Sequence, residues 1–144
     1  MRLAIGSDHA GVGLKAQVRS HLEALGHDVT DVGPHDTTSV DYPDYAHQVT
    51  GLLAEGGVDR GILICGTGQG MAMSANKAPG IRAAVVADTF SAAMAMQHND
   101  ARVLCFGERI VGPGLALALV DAWLGAEFEG GRHARRVGKI EGTG

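Results

Sequence analysis

The sequence predicts an α/β protein: a three-layer α/β/α sandwich around a five-stranded parallel sheet of Rossmann-like type. Three observations carry this expectation. Short apolar runs alternate with helix-length amphipathic segments along the 144 residues, which is the pattern of βα units and a parallel sheet. Most of these apolar runs are near-continuous, as strands covered on both faces are. The 22 glycines supply the tight turns and close backbone approaches that such folds use. The length suits a single domain over residues 1–144 with one proper core.

The elements follow in order. "RLAIGSD" (2–8) reads as a buried strand. "GLKAQVRSHLEALG" (13–26) places Leu14, Val18, Leu22 and Leu25 on one helical face, with Gly26 as the stop. "HDVTDVG" (27–33) is a second, weaker strand, and residues 34–44 form a loop by their turn residues. "YAHQVTGLLAEGG" (45–57) is a helix despite Thr50 and Gly51. "RGILICG" (60–66) is the third strand, and "QGMAMSANKA" (69–78) opens a helix. "IRAAVVAD" (81–88) is the fourth strand and "TFSAAMAMQHN" (89–99) the next helix. "ARVLCFG" (101–107) is the fifth strand. "GPGLALALVDAWLGA" (112–126) is a helix with Pro113 near its start. The tail, from about 128 to 144, is expected to be irregular with a short helix after Gly131. No internal repeat or low-complexity tract interrupts the pattern.

Composition narrows the function. With 45% hydrophobic and 19% charged residues the chain is ordinary for a soluble protein. One Trp, two Tyr and three Phe leave the core to Ala, Val, Leu, Ile and Met. A formal net charge of −4 gives no footprint for nucleic acid. No apolar run approaches the roughly 18–20 residues of a membrane span. The chain runs at once into a strand-like segment, so no secretory leader is expected. Cys65 and Cys105 sit on separate strand-like segments without C-x-x-C spacing, which suggests free thiols and a cytoplasmic protein.

In open parallel sheets, ligands sit outside the carboxyl ends of the strands at a topological switch point. The residues expected there are Ser7-Asp8-His9, Cys65-Gly66-Thr67-Gly68, Asp88 and Gly107-Glu108-Arg109. The stretch "GILICGTGQGM" (61–71) is the most informative of them. It is not a nucleotide P-loop, because Met71 and Ala72 stand where Lys and Ser/Thr should follow the last glycine. It is a near-match to the dinucleotide fingerprint, with Asp88 at about the right distance, but Met71 replaces the final glycine. A phosphatase loop would need an Arg shortly after the thiol, and the next is Arg82. A thioredoxin-like thiol would need a second Cys nearby. What remains is a thiol beside backbone N–H groups at a helix N-terminus. That setting binds anions, lowers a thiol's pKa below about 8.5, and suits proton abstraction from carbon beside an oxyanion hole. Buried apolar filler, the commonest fate of a free Cys, stands level with this on the segment alone.

The segments "GSDHAG", "DYPDYA", "GILICGTGQGMAMSANK", "GIRAAV", "QHND", "VLCFGERIVG" and "DAWLGAEFEGGRHARRV", in this order and spacing, resemble ribose-5-phosphate isomerase type B. That family also includes allose-6-phosphate and galactose-6-phosphate isomerases. The resemblance runs from Arg2 to about Ile140. It implies an aldose–ketose isomerase of the pentose phosphate pathway that uses no metal or other cofactor. It further implies a homodimer or tetramer with active sites shared across the dimer interface.

The resemblance also assigns roles. Cys65 matches the catalytic base; some members have Ser there and a Glu six residues later, a position that is Met71 here. Cys105, mid-strand between Leu104 and Phe106, reads as core filler. Gly66, Thr67, Gly68, Gln69 and Gly70 match the loop that holds the enediolate oxygen, Thr67 adding a hydroxyl. His98 matches the ring-opening acid, reaching the site from the neighbouring subunit, and Asn99 a substrate hydroxyl contact. Without the resemblance, His98 reads better as a helix-end cap. Asp8 and His9 match contacts to substrate hydroxyls and phosphate, with Asp8 assisting ring opening; Asp8 also reads as a helix N-cap. Ser7 stands where some members have Cys.

Arg132 and Arg136 match phosphate anchors and would share one helical face. Arg109 joins them from across the interface, His133 lies in the same motif, and Arg135 is expected to point elsewhere. A solvated basic tail is the plainer reading of this segment. Tyr42 lies in a loop bordering the site. His21, His27, His35 and His47 show no metal-ligand spacing. A six-carbon aldose 6-phosphate is the alternative substrate, and a non-catalytic sugar-phosphate binder the alternative function.

Overall fold

The computed structural model describes residues 1–142. Its strands are β1 (Arg2–Ser7), β2 (Asp28–Gly33), β3 (Arg60–Cys65), β4 (Ala83–Val85) and β5 (Val103–Gly107). Its helices are α1 (Val12–Ala24), α2 (Tyr42–Ala54), α3 (Gln69–Ala75), α4 (Thr89–Asn99), α5 (Pro113–Leu124) and α6 (Arg132–Ile140), with one 3₁₀ turn, His9–Gly11, before α1. Every strand pair is parallel, in the order β2-β1-β3-β5-β4. The predicted five-stranded parallel sheet is therefore present.

Side-chain alternation along the strands builds the two outer layers. Leu3, Ile5, Ile62, Ile64, Leu104 and Phe106 pack with side chains of α1, α4 and α5. Their neighbours Ala4, Leu63, Cys65, Val103 and Cys105 pack with those of α2 and α3. The second face is lined by smaller residues, so α2 lies close to the sheet. A Cβ on Gly61 would stand 2.5 Å from Val49 Cγ1.

Four expectations shift. Leu25, expected on the buried face of the first helix, is exposed, because α1 ends at Ala24 and Leu25 is its C-cap. Helix α2 begins at Tyr42 rather than 45, since Pro43 falls in its first turn, where proline fits without losing a hydrogen bond. Strand β4, at one sheet edge and paired with β5 alone, has only three residues, Ala83–Val85, where eight were expected. In the tail, the short helix expected after Gly131 is present as α6 and takes up residues 132–140, so less of the segment is irregular than expected.

One buried polar tie fixes the loop that leads to the site. Lys15 on α1 donates from Nζ to Asp31 Oδ1 and to the Pro34 carbonyl, both at 2.6 Å. Lys15 and Asp31 are almost wholly buried, so each needs the other. Burial alone raises the Asp31 carboxyl. The Lys15 hydrogen bond, the Gly33 N–H and the Lys15 charge overcome this and hold it below the ordinary carboxylate value.

Lys15→Met is expected to lower the unfolding free energy by up to about 3–5 kcal/mol, because it leaves the buried Asp31 carboxylate with only Arg19 at 3.4 Å and the Gly33 N–H at 2.8 Å; urea denaturation measures it. The wild-type pH dependence has a definite sign. The folded pKa of Asp31 lies below its unfolded value, so its stabilisation is present above about pH 4 and is lost as pH falls through the folded value. In Lys15→Met the acid limb of stability should be shallower than in wild type.

Candidate functional site

The order of the sheet reverses between β1 and β3, because the chain runs outward from β1 to β2 and then returns to β3 on the other side. A crevice at the carboxyl ends of these strands follows. It is a cleft of about 250 Å³ lined by Asp8, His9, Ala10, Tyr42, Cys65, Gly66, Thr67, Gly70 and Arg109. A larger depression of about 570 Å³ lies at the amino ends of the strands, among Arg2, Asp59, Arg82 and Asp100. Its charges pair with one another, Arg2 with Asp59 at 3.0 Å and Arg82 with Asp100 at 3.3 Å, so it is a satisfied ionic surface.

Cys65 is the last residue of β3 and is 5% exposed. The Gly68 N–H donates to its Sγ at 3.1 Å, which fixes the direction of the thiol. Gly68 holds φ +84 at the N-cap of α3, a backbone conformation that favours glycine. The loop is pressed against β5. A Cβ on Gly107 would stand 2.5 Å from Thr67 Cα and 2.6 Å from the Gly66 oxygen. The Glu108 N–H donates to the Cys65 carbonyl at 2.8 Å and the Arg109 N–H to the Gly66 carbonyl at 3.0 Å. These bonds bring the Arg109 side chain over Gly66, with Nη1 3.5 Å from the place of a Cβ.

The opposite wall is built by β1 and the loop after β2. Asp8 accepts from the N–H groups of Ala10 at 2.9 Å and Gly11 at 3.2 Å, so the N-cap reading is present together with a place in the cleft. His9 Nδ1 accepts from the Val40 N–H at 3.2 Å, which leaves Nε2 as the protonated nitrogen of the neutral ring. Tyr42 packs its ring on Gly70, where a Cβ would lie 2.4 Å from Cε1. The Thr67 hydroxyl accepts from the Gln69 N–H at 3.3 Å. Gln69 faces a neighbouring depression with Thr67, Val85, Val86, Ala87, Gly107 and Ile110. Met71 is fully buried in the α2–α3 layer. Cys105 is fully buried too, and burial, followed by the neighbouring Cys65, pushes its thiol far above the ordinary range.

The remaining predicted residues gather elsewhere on the same chain. None of His98, Asn99, Arg132, His133 and Arg136 lines the Cys65 cleft. His98 and Asn99 end α4, while Arg132, His133 and Arg136 lie on α6. The rings of His98 and His133 stack with centroids 4.3 Å apart. Burial, then His98 and Arg132, hold the His133 imidazole below its usual value, with Glu129 pulling the other way. Glu129 was not singled out in the sequence, although its i,i+4 spacing to His133 was readable. Asp88 caps α4 by accepting from the Ser91 N–H at 2.7 Å and lies outside the cleft.

The arginines divide cleanly. Arg2, Arg19, Arg60, Arg82 and Arg102 all engage carboxylates or carbonyls. Among the described residues, the guanidinium groups of Arg109, Arg132, Arg135 and Arg136 have no ion-pair or hydrogen-bond partner. Three of these four, all but Arg135, are the expected phosphate anchors.

A parallel α/β sheet with a thiol, an imidazole, a carboxylate and an uncommitted guanidinium at its switch point defines a small-ligand site of the acid–base type. The chain belongs to the ribose/galactose isomerase family, whose model matches residues 3–140. It is 51% identical over 139 residues to ribose-5-phosphate isomerase B of Escherichia coli K12, covering 96% of this chain and 93% of that one. It is 45% identical over 142 residues to D-erythrulose-4-phosphate isomerase of Pectobacterium atrosepticum, covering 97% and 93%. The solved Clostridium thermocellum ribose-5-phosphate isomerase B superposes with a TM-score of 0.98 at 53% identity, covering 99% of this chain and 96% of that one. The resemblance read in the sequence is thus borne out.

The contact of the 66–68 loop with Gly107 is open to test. Gly107→Ala must push backbone aside and should cost about 1–3 kcal/mol, together with most of the activity. Gly51→Ala, in the middle of α2 with nothing within 4 Å, should instead stabilise by about 0.5–1 kcal/mol. Thermal unfolding of the two variants, read beside activity, checks both.

Proposed function

We propose that this chain interconverts D-ribose 5-phosphate and D-ribulose 5-phosphate through a cis-enediolate. The observation that carries the reading is the Cys65 thiol, aimed by the Gly68 N–H and facing Asp8, His9 and Arg109 across one cleft. In the thiolate form Cys65 removes the proton from C2 of the open-chain aldose. The electron pair forms the C1–C2 double bond, and the carbonyl oxygen at C1 becomes an oxyanion held by N–H groups of the 66–70 loop. Return of the proton to C1, with transfer of the hydroxyl proton from O2 to the O1 oxyanion, leaves a carbonyl at C2 and gives the ketose. Each step uses groups of the protein alone, so activity should survive exhaustive chelation, and loss on EDTA with recovery on added metal would overturn the scheme.

The site is completed by a second copy of the chain. The cleft of one chain, about 250 Å³, is below the ~300–1,000 Å³ usual for a ligand pocket. The imidazole acid His98, with Asn99 and the uncommitted Arg132 and Arg136, lies outside it. Phe90 and Ile110, 73% and 59% exposed, leave apolar surface for such a partner. His98 of the partner then opens the sugar ring, and Arg132 and Arg136 of the partner hold the phosphate with Arg109. Among the described residues no helix is long and apolar enough to cross a membrane, and a cytoplasmic homodimer fits the reading.

A coupled assay with ribose 5-phosphate, erythrulose 4-phosphate and allose 6-phosphate side by side tests the substrate. The highest kcat/KM should fall to the five-carbon sugar; a preference for either other compound refutes that assignment. Cys65→Ala should lose at least about 100-fold in kcat yet still bind substrate, while Cys105→Ala keeps its activity. Mixing Cys65→Ala with His98→Ala under subunit exchange should restore at most about a quarter of wild-type activity, since half the dimers are mixed and half their sites intact. Heterodimers seen by mass spectrometry without restored activity would sink the shared site.

A further inference from the structure

We propose that His98, Glu129 and His133 form a binding site for a divalent transition-metal ion of the Zn²⁺ class, and that a bound ion withholds the His98 imidazole from catalysis. The second half rests on the reading of His98 as the ring-opening acid; the first half does not.

The donor atoms converge. Glu129 Oε1 lies 3.5 Å from His98 Nε2 and 3.7 Å from His133 Nε2. Both separations exceed the 2.7–3.2 Å of an N–H···O hydrogen bond. They are close to the ligand–ligand edge of a zinc tetrahedron, about 3.3 Å for donors at about 2.0–2.1 Å from the metal. One donor atom from each of the three residues lies within 4.8 Å of the others. The two rings are stacked within 8° of parallel, so closing the third edge requires them to tilt. The His98 side chain is 41% exposed and has room to do so.

The donors stand on fixed backbone. The Glu129 N–H donates to the Gln97 carbonyl at 3.0 Å, which ties the segment to the last turn of α4 beside His98. The His133 N–H donates to the Gly130 carbonyl at 3.0 Å at the start of α6. Two imidazoles and one carboxylate are a donor set suited to zinc, leaving a fourth position for water. Arg132 and Arg136 on the same helix repel a cation, which suits a reversible inhibitory ion more than a structural one. Because the ion takes the ring nitrogen of His98, that imidazole loses its capacity to pass protons.

Calorimetric titration of the EDTA-treated, dialysed full chain with ZnCl₂ should show one ion per chain. Glu129→Gln and His133→Asn should each weaken binding by about ten-fold or more. Cys65→Ala should bind as wild type does, which separates this site from the thiol. Zinc at concentrations that fill the site should lower isomerase activity, EDTA should restore it, and Glu129→Gln should stay active and resist zinc. No binding, equal binding by Glu129→Gln, or binding lost only in Cys65→Ala overturns the site. Zinc bound at the triad with undiminished activity supports the site and overturns both its inhibitory role and the assignment of His98.

Discussion

The contact on which the site depends is the close packing of two strand-end loops, 66–68 against 107–109. It has almost no side-chain content. Gly107 leaves no room for a Cβ against Thr67 Cα, and Gly68 lies with its φ of +84 against the backbone of Phe106. The backbone bonds from Glu108 and Arg109 to Cys65 and Gly66 then zip the two loops together. From this contact follow the direction of the Cys65 thiol, the position of Arg109 and the start of α3. A packed interior transmits small displacements rather than absorbing them, so a misplaced methyl group here reaches the reacting sulfur directly.

The opposite wall depends on a different kind of force. Lys15, Asp31 and the Pro34 carbonyl make a small buried polar network whose members would each be costly alone. It pins the start of the 34–41 loop, whose far end returns to His9 through the Val40 N–H and delivers Tyr42 onto Gly70. One wall is thus shaped by steric closeness and the other by charge. The same economy of charge shows on the surface. Five arginines spend their guanidinium groups on neighbouring carboxylates and carbonyls, while Arg109 and the three arginines of α6 do not.

Much of this was legible in the sequence, for physical reasons that can be named. Near-continuous apolar runs reveal buried strands, so all five strands and the parallel sheet could be read. Cys105 lies mid-strand and Cys65 at a strand end beside the loop, as read, but both are buried, so burial alone does not separate them. Periodicity carries no information on neighbours, so neither the order β2-β1-β3-β5-β4 nor the shortness of edge strand β4 was readable. Leu25 shows the limit of helical spacing, since a residue in phase with the apolar face is exposed once the helix has ended. Ser7 shows another limit. It is fully buried, and its hydroxyl has no hydrogen-bond partner among the described residues, a cost that identity alone does not disclose. Glu129 was missed because its importance lies in convergence with His98, thirty-one positions away (129 − 98).

The separation of the two predicted halves within one chain bears on how such a site works. Here the thiol is buried at the end of β3, while the imidazole stands partly exposed at the end of α4 beside His133 and Glu129. In the two-chain site proposed above, assembly does chemical work, because it brings together groups that each chain keeps apart and removes water from between them. The same proposal accounts for the small, open cleft of a single chain. The residues proposed to complete it stand at a helix end and on α6, which has no buried residue in its own chain.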